Sequence, residues 1–355
     1  MGHWAGRYLA ATMRKVIVTG GAGYIGSHTV VELAKAGFTP VIVDDLRNSH
    51  RNVLKGLATL LGELPNFHSV DCLHLERLHE VFKIEGEVHG VIHFAAYKAV
   101  GESVAEPLKY YENNVGSLVN VLQVMQWRGV QDLVFSSSCT VYGQPTHMPV
   151  SERAPDHSAS SPYGYTKVVG ERMIRDAVRA NHTLKAVLLR YFNPIGAHPE
   201  GHIGELPIGV PGNLVPFITQ TAAGLRKQLT IHGNDYATTD GTCVRDYLHV
   251  LDVASAHVMA LRWMKEQPSP LCEAFNLGAG EGHSVKQVVD LFEEVTGQHV
   301  PKVQGPRRAG DVAAIWADNT KSREVLGWNC EHDLRSALRD AWNWQCSLKE
   351  ASAHH

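Results

Sequence analysis

The strongest constraint on this chain is a run of glycines set between two different periodicities. Lys15-Val16-Ile17-Val18-Thr19 has the β-branched density of a buried strand, and Tyr24 to Ala36 repeats apolar residues at helical spacing and stops at Gly37. Between them stands Gly20-Gly21-Ala22-Gly23-Tyr24-Ile25-Gly26, and a second strand follows from Pro40 to Asp44. Strand, glycine turn, helix and strand make one βαβ unit. Such a unit lays two strands side by side in parallel and requires helices on both faces of the sheet.

The same glycines predict a ligand. Without side chains at Gly20, Gly23 and Gly26, the backbone can approach a pyrophosphate, whose charge meets the free N–H groups at the start of the helix near Tyr24 and Ile25. Asp44 ends the next strand about 20 residues on, where a carboxylate can accept from an adenosine ribose. Asp45, Asn48 and Ser49 follow in the same loop. Two adjacent acids would repel a 2′-phosphate, which favours NAD over NADP; Arg47 is the opposing charge nearby.

The rest of the first half repeats the alternation. Strands are expected at Phe67 to Asp71, Gly90 to Ala95, Val130 to Ser136 and Leu184 to Arg190, with helices near residues 103–128 and 162–181. After Asn193 the texture changes to "NPIGAHPEGHIGELPIGVPGN", rich in Gly and Pro, which reads as a loop-dominated lobe. Periodic segments return at Val244 to Met264 and Ser284 to Thr296, so the second lobe should be interleaved with the sheet. The expected division is an N-terminal extension at 1–12, disordered, a nucleotide domain at 13–192 with a return segment near 244–266, and a substrate lobe at 193–345.

Composition narrows the partner. Of 355 residues, 44% are apolar and 19% charged, with a net charge of -3 and no block of like charges, which argues against a nucleic-acid or membrane surface. No apolar run approaches the ~20 residues that span a bilayer, and the first residues lack a signal-peptide pattern. A soluble, cytoplasmic protein acting on a small molecule is expected. The six cysteines show no CxxC spacing, which fits buried reduced thiols, and the histidines are scattered. No metal site is expected.

Chemistry enters at "DLVFSSSCTVYG" and "SPYGYTK". Ser136, Ser137 and Ser138 leave the carboxyl end of a buried strand, the edge at which open parallel sheets bind ligands. Tyr163 and Lys167 stand at i and i+4 on a helix, so the ammonium lies one turn from the phenol and should lower its pKa toward a usable base. Tyr165 is about 200° around the helix from Lys167's face. Tyr163 is therefore the candidate base and Tyr165 a packing residue.

Glycine loop, acidic strand end, serine and Tyr-x-x-x-Lys in this order resemble the extended, sugar-nucleotide branch of the short-chain dehydrogenase/reductase superfamily. "HFAAYKAVGES", "YYENNV", "FSSSCTVYG", "LRYFNPIGAHPEGHIGE", "NLVPFITQ", "GNDYATTDGTCVRDYLHVLDVA" and "RRAGDVAAIWAD" are all similar to the UDP-glucose (UDP-galactose) 4-epimerase family, from about Lys15 to Trp344. The resemblance implies an α/β fold: a Rossmann-type doubly wound parallel sheet with a smaller, interleaved C-terminal lobe that binds substrate. It implies a homodimer, tightly held NAD, and UDP-galactose and UDP-glucose as substrates in galactose metabolism.

It also assigns roles. Asp71 matches an acid beside the adenine; Phe94, Ala95, Lys98 and Asn113 match residues that reach the cofactor, and Lys167 touches the nicotinamide ribose. Tyr163 takes the proton of the sugar 4-hydroxyl during a transient oxidation at C4, with Ser138 bonded to the same oxygen. The 4-keto sugar then turns over and is reduced on its other face. Asn193, Asn213, Leu214, Arg245, Tyr247, Arg308 and Asp311 match the UDP-binding set, together with Lys98. Two positions depart from the pattern: His232, where an aromatic near the uracil is common, and Ile315, where some members carry a tyrosine that gates the sugar pocket. An intermediate residue at that gate leaves N-acetylated UDP-sugars open as additional substrates.

Two other functions share the fold. A nucleotide-sugar 4,6-dehydratase needs an Asp-Glu pair where this chain has Cys139-Thr140, and neither of these is an acid/base at neutral pH. A non-catalytic NAD sensor would have no need of Ser138, Tyr163 and Lys167 beside a UDP-binding set.

Overall fold

The protein is described by a computed structural model over residues 14–155, 159–308 and 310–353; the extension expected at 1–12 lies outside them. In chain order the first elements are β1 (Arg14–Thr19), α1 (Tyr24–Lys35), β2 (Phe38–Val43), α2 (Asn52–Leu61), β3 (Asn66–His68), α3 (Leu75–Glu85) and β4 (Gly90–His93). There follow α4 (Val100–Ala105), α5 (Pro107–Tyr110), a π-turn (Tyr111–Val115), α6 (Gly116–Arg128), β5 (Asp132–Ser138), α7 (Pro162–Ala180), β6 (Lys185–Tyr191), β7 (Asn193–Ile195), α8 (Leu214–Ala222) and β8 (Leu229–His232). The last third holds β9 (Val244–Arg245), β10 (Tyr247–His249), α9 (Val250–Glu266), β11 (Leu271–Leu277), β12 (His283–Ser284) and α10 (Val285–Thr296). It closes with β13 (Lys302–Gly305), β14 (Ala314–Ile315), α11 (Thr320–Leu326) and α12 (Leu334–Ala353).

Seven strands pair in parallel in the order β11-β6-β5-β4-β1-β2-β3. The chain builds outward from β1 to β3, then crosses back to lay β4 on the other side of β1. That reversal leaves a crevice at the carboxyl ends of β1 and β4, where the connections part in opposite directions. Both faces are dry. Val16 and Val18 point into one layer with α1, α2 and α9, while Ile17 points into the other with α3, α6 and α7. This two-sided burial is why the strands read as unbroken apolar runs.

Several local choices explain the helices beside the crevice. Ser161 Oγ accepts from the Gly164 N–H at 3.2 Å, and Pro162 opens α7 at a position where its missing N–H costs nothing. The cap contributes about 1 kcal/mol and fixes the turn on which Tyr163 sits. Pro107 breaks the helix expected over 103–128, and the chain resumes through the π-turn "YENNV" before α6. Bulges of that kind recur at functional sites because they re-aim side chains.

Three further elements differ from expectation. Strand β5 extends through Ser138, so the three serines lie in it, whereas β3 ends at His68 and β4 at His93. The return to the sheet runs past 266: α9 covers it, and β11 forms its edge beside β6. The lobe has a third apolar cluster, built from α8, α10, α12, β8 and β10 around Ile218, Phe292 and Leu338. Among the described residues no helix is long and apolar enough to cross a membrane.

Candidate active site

One continuous cleft opens over the crevice, and every residue expected to hold the cofactor lines it. Its floor is the glycine turn. Gly20 has φ +71°, and a Cβ there would stand 2.8 Å from the Ala95 nitrogen; one on Gly26 would stand 2.2 Å from the Gly20 carbonyl oxygen. Backbone therefore packs on backbone across β1, β4 and α1, and no side chain fits between. Helix α1 starts at Gly23 with no side-chain cap, so its first N–H groups face the cleft. Gly20, Gly23, Tyr24, Ile25 and Gly26 form an anion cradle.

Asp44 is half-buried beside it and accepts from Ala22 N–H at 3.0 Å, Leu46 N–H at 2.8 Å and Ser49 Oγ at 3.2 Å. Burial raises its carboxyl pKa, and the N–H donors oppose the rise. Arg47, the charge that opposed the NAD assignment, is engaged by acids: its Nε lies 2.5 Å from Asp45, and Nη2 donates to Asp71. It also reaches Asn113 at 3.5 Å. Its positive charge is thus partly cancelled beside Asp44 and Asp45, which fits a dinucleotide without a 2′-phosphate. Asn48 and Ser49 line the same wall.

The loop after β4 carries Phe94, Ala95 and Lys98. It is pinned by Asn114, whose Oδ1 accepts from Tyr97 N–H at 2.8 Å while Nδ2 donates to the Tyr97 carbonyl at 3.0 Å and to Thr166 Oγ1 at 3.1 Å. The sequence pointed to Asn113, which does face the cleft; the buried Asn114 was missed. An amide doublet inside a helical pattern was the available signal.

At the far end Tyr163 and Lys167 project from α7 toward Ser138. Lys167 Nζ donates to the Ser136 carbonyl at 2.6 Å and sits 5.9 Å from the Tyr163 ring centre. Tyr165 is 46% exposed, so the helix separates the two tyrosines, but Tyr165 points to solvent and is not a packing residue. The expected drop in the Tyr163 pKa is not what the structure gives: burial pushes the phenol up to about 12, with a hydrogen bond to Ser138 pulling the other way. Burial also lowers Lys167 to about 8. Desolvation outweighs the Ser138 hydrogen bond.

The expected substrate residues fall into two groups. Lys98 and Asn213 line the cleft and share one partner, donating to Glu205 Oε1 at 2.9 and 2.6 Å. Glu205 was not singled out from the sequence, although it ends one of the quoted motifs. Leu214 opens α8 directly after Asn213. The second group lies on short paired strands: Asn193 opposite Tyr247, and Ile315 opposite Arg245. Arg308 donates to Asp311 at 2.8 and 3.2 Å, and Arg245 lies 3.7 Å from the same carboxylate. Arg245 is also close enough to Cys139, next to Ser138, to act on it electrostatically.

Asn193 Oδ1 is buried without a hydrogen-bond partner among the described residues, as a group awaiting a ligand would be. His232 is exposed, held by the Pro306 carbonyl at 3.2 Å. Ile315 is 4% exposed within the main apolar cluster. Asp246, within "VRDY", is explained by structure: it accepts from the N–H groups of Ala279, Gly280 and Ala317 and ties three segments together.

A glycine turn at a helix start and a half-buried carboxylate at one end of the cleft, with a serine, tyrosine and lysine at the other, make up an arrangement of the short-chain dehydrogenase/reductase type. Residues 16–278 match the family model described as the NAD dependent epimerase/dehydratase family. The chain is 47% identical over 339 residues to a UDP-glucose 4-epimerase of Mus musculus, covering 94% of this chain and 97% of that one. The fold superposes with TM-score 0.92 on the crystal structure of a UDP-glucose 4-epimerase from Stenotrophomonas maltophila with bound NAD and formylated UDP-arabinopyranose, at 46% identity over 95% of this chain and 99% of that one. With the Bifidobacterium longum enzyme in complex with NAD+ and UDP the TM-score is 0.90, at 40% identity over 94% and 98% of the chains. The chain belongs to the NAD dependent epimerase/dehydratase family.

Proposed function

We propose that this protein is an NAD-dependent isomerase that interconverts UDP-galactose and UDP-glucose at sugar carbon 4. The observation that carries the reading is the meeting of Tyr163 and Lys167, with Ser138 hydrogen-bonded to the phenol, at the end of a cleft floored by the glycine turn and lined by Lys98 and Asn213. When bound, NAD supplies an acceptor that takes the C4 hydrogen with its electron pair and returns it, and a positive ring beside the phenol. Gly20, Gly23 and Gly26 would receive its pyrophosphate, and Asp44 its ribose.

Tyr163 accepts the 4-hydroxyl proton at its phenol oxygen and gives it back when the carbonyl is reduced. A phenol held near 12 needs positive charge around it to act as a base, and the Lys167 ammonium, 5.9 Å from its ring centre, is the nearby cation on the same helix. Ser138 donates to the same sugar oxygen and keeps it in register. Arg245, Arg308 and Lys98 hold the diphosphate, with Asn193, Asn213, Leu214, Tyr247 and Asp311 fixing the rest of the nucleotide. Guanidinium forks suit this task because they bind phosphate in two places. Firm hold on the nucleotide and light hold on the sugar let the keto group present either face.

We read the protein as cytoplasmic and as a homodimer. Val104, Leu108 and Tyr165 are exposed at 63%, 80% and 46% on the neighbouring helices α4, α5 and α7, an apolar face that a second copy would cover. Light scattering on the purified protein decides the assembly. For activity, purified protein is incubated with UDP-galactose and no added NAD. Formation of UDP-glucose is expected; bound NAD without product would mean a sensor, and a keto-deoxy product a dehydratase.

A further inference from the structure

Helix α7 carries Tyr163, Lys167 and Glu171 at steps of four, so their side chains form one stripe on the helix face against the sheet. Glu171 is 1% exposed and is held from both strands beneath it. Ser137 Oγ donates to Oε1 at 2.6 Å. Arg190 donates from Nε to Oε1 at 2.8 Å and from Nη2 to Oε2 at 2.6 Å, and Arg175 reaches Oε2 at 2.8 Å. Ser137 directly precedes Ser138 on β5, and Arg190 directly precedes the cleft residue Tyr191 on β6. One carboxylate thus fastens the helix bearing the proton acceptor to both strands that end in the site. The network continues through Arg190 Nη1 to the Tyr142 hydroxyl at 2.9 Å and from there to Asn276 Oδ1 on β11 at 2.6 Å.

A buried ion pair is rarely the most stable filling for such a space, because well-packed apolar side chains often do as well or better. Its position under the reacting groups suggests another use. We propose that Glu171 is a positioning residue for the epimerisation: it fixes Tyr163 and Lys167 against Ser138, and its charge beneath Lys167 keeps that ammonium protonated. This inference rests on the reading of Tyr163 as proton acceptor.

The surroundings of Lys167 support the electrostatic half. From β5 it meets the Ser136 carbonyl and the Phe135 ring, at 2.6 and 5.0 Å, and from its own helix the Tyr163 ring. His93 on β4 feels the Lys167 charge and is held neutral, with its pKa near 3, chiefly by burial. Arg190 on β6 is a cation paired with Glu171. Asn113 and Asn114, from the π-turn, are uncharged. Burial drives Lys167 down, and Glu171 is the charge that opposes it.

The test follows Lys167 directly in the full-length protein, by NMR of lysine-labelled samples with the signal assigned through its loss in Lys167→Met. In Glu171→Gln the Lys167 titration midpoint is expected to fall by at least ~1 pH unit, and the alkaline limb of kcat for UDP-galactose should fall with it. Glu171→Gln combined with Arg190→Gln removes both charges and keeps amide hydrogen bonding, so its midpoint should lie between wild type and the single variant. This pair also serves if the single variant does not fold. Glu171→Asp keeps the charge but shortens the reach to Ser137, so the midpoint should stay while kcat drops at least ~10-fold with little change in KM. A purely structural carboxylate would lower Tm and kcat without moving the Lys167 midpoint, and that result would overturn the proposal. A wild-type protein that leaves UDP-galactose unchanged would overturn the functional reading instead, whatever the titration shows.

Discussion

Lowering the pH should unfold this protein through three histidines that the fold keeps neutral. His28 on α1 is bonded through Nδ1 to the Tyr24 carbonyl at 2.7 Å, and His93 at the end of β4 meets Thr19 Oγ1 at 2.7 Å. His257 on α9 bonds the Val253 carbonyl through Nδ1 at 2.8 Å and the Tyr191 hydroxyl through Nε2 at 2.5 Å. Burial holds all three pKa values near 3, against 6.5 for a free imidazole. Because the folded values lie below the unfolded one, acid protonates the unfolded chain first. Their contribution is therefore complete above about pH 6.5 and is lost as pH falls from there toward 3. Between about pH 7.5 and pH 5.5 each group costs about 1.4 kcal/mol, about 4 kcal/mol together, a large share of a typical 5–15 kcal/mol. Carboxylates with depressed pKa values titrate below this window; Asp246, pushed up to about 6 by burial, titrates within it and offsets about 0.8 kcal/mol of the loss as it protonates, while His198, also lowered by burial, adds to the loss. Urea unfolding at the two pH values measures the loss. His257→Phe should reduce the pH-dependent part by about one third while also changing the absolute stability, because Tyr191 loses its partner. A wild-type loss under ~1.5 kcal/mol, or a variant with an unchanged pH slope, would refute the assignment of three buried neutral rings.

Tyr163→Phe should reduce UDP-galactose turnover by at least ~100-fold with NAD retained, whereas the exposed Tyr165→Phe should stay within about 2-fold; equal losses in the two would defeat the helix-face argument. Gly26→Ala drives a Cβ into the Gly20 carbonyl at 2.2 Å, backbone that cannot yield without opening the turn, so NAD should be lost on gel filtration and Tm should fall. Ile315→Tyr must either overpack a buried site, at about 1–3 kcal/mol by urea unfolding, or send its ring toward the sugar. In the second case any activity on N-acetylated UDP-sugars should drop relative to UDP-galactose, and an unchanged ratio would remove Ile315 from specificity.

The nucleotide half was legible because its signals are local. A glycine turn between a strand and a helix, an acid at the next strand end, and a proline-led helix with Tyr and Lys four apart each carry their geometry in a few consecutive residues. The elements misread were those whose conformation depends on neighbours distant in sequence. Of this kind are the π-turn, which carries Asn113 and Asn114, and β11, which joins the main sheet from deep within a segment read as the second lobe because β6 offers an open edge there; Pro107, which splits the expected helix, was a local signal passed over.

The site divides in the same way. Sequence by itself determined which tyrosine faces the lysine, since helical pitch settles that, and which groups would line one cleft at the carboxyl ends of β1 and β4. Tertiary structure decided the energies: whether a phenol is desolvated, whether Arg47 is free or taken up by Asp45 and Asp71, and where buried charge lies. Those depend on the distance and burial of groups far apart in the chain. Glu171 is the plainest case, an ordinary helix residue on paper that becomes the anchor beneath the site once β5 and β6 bring Ser137 and Arg190 to its carboxylate.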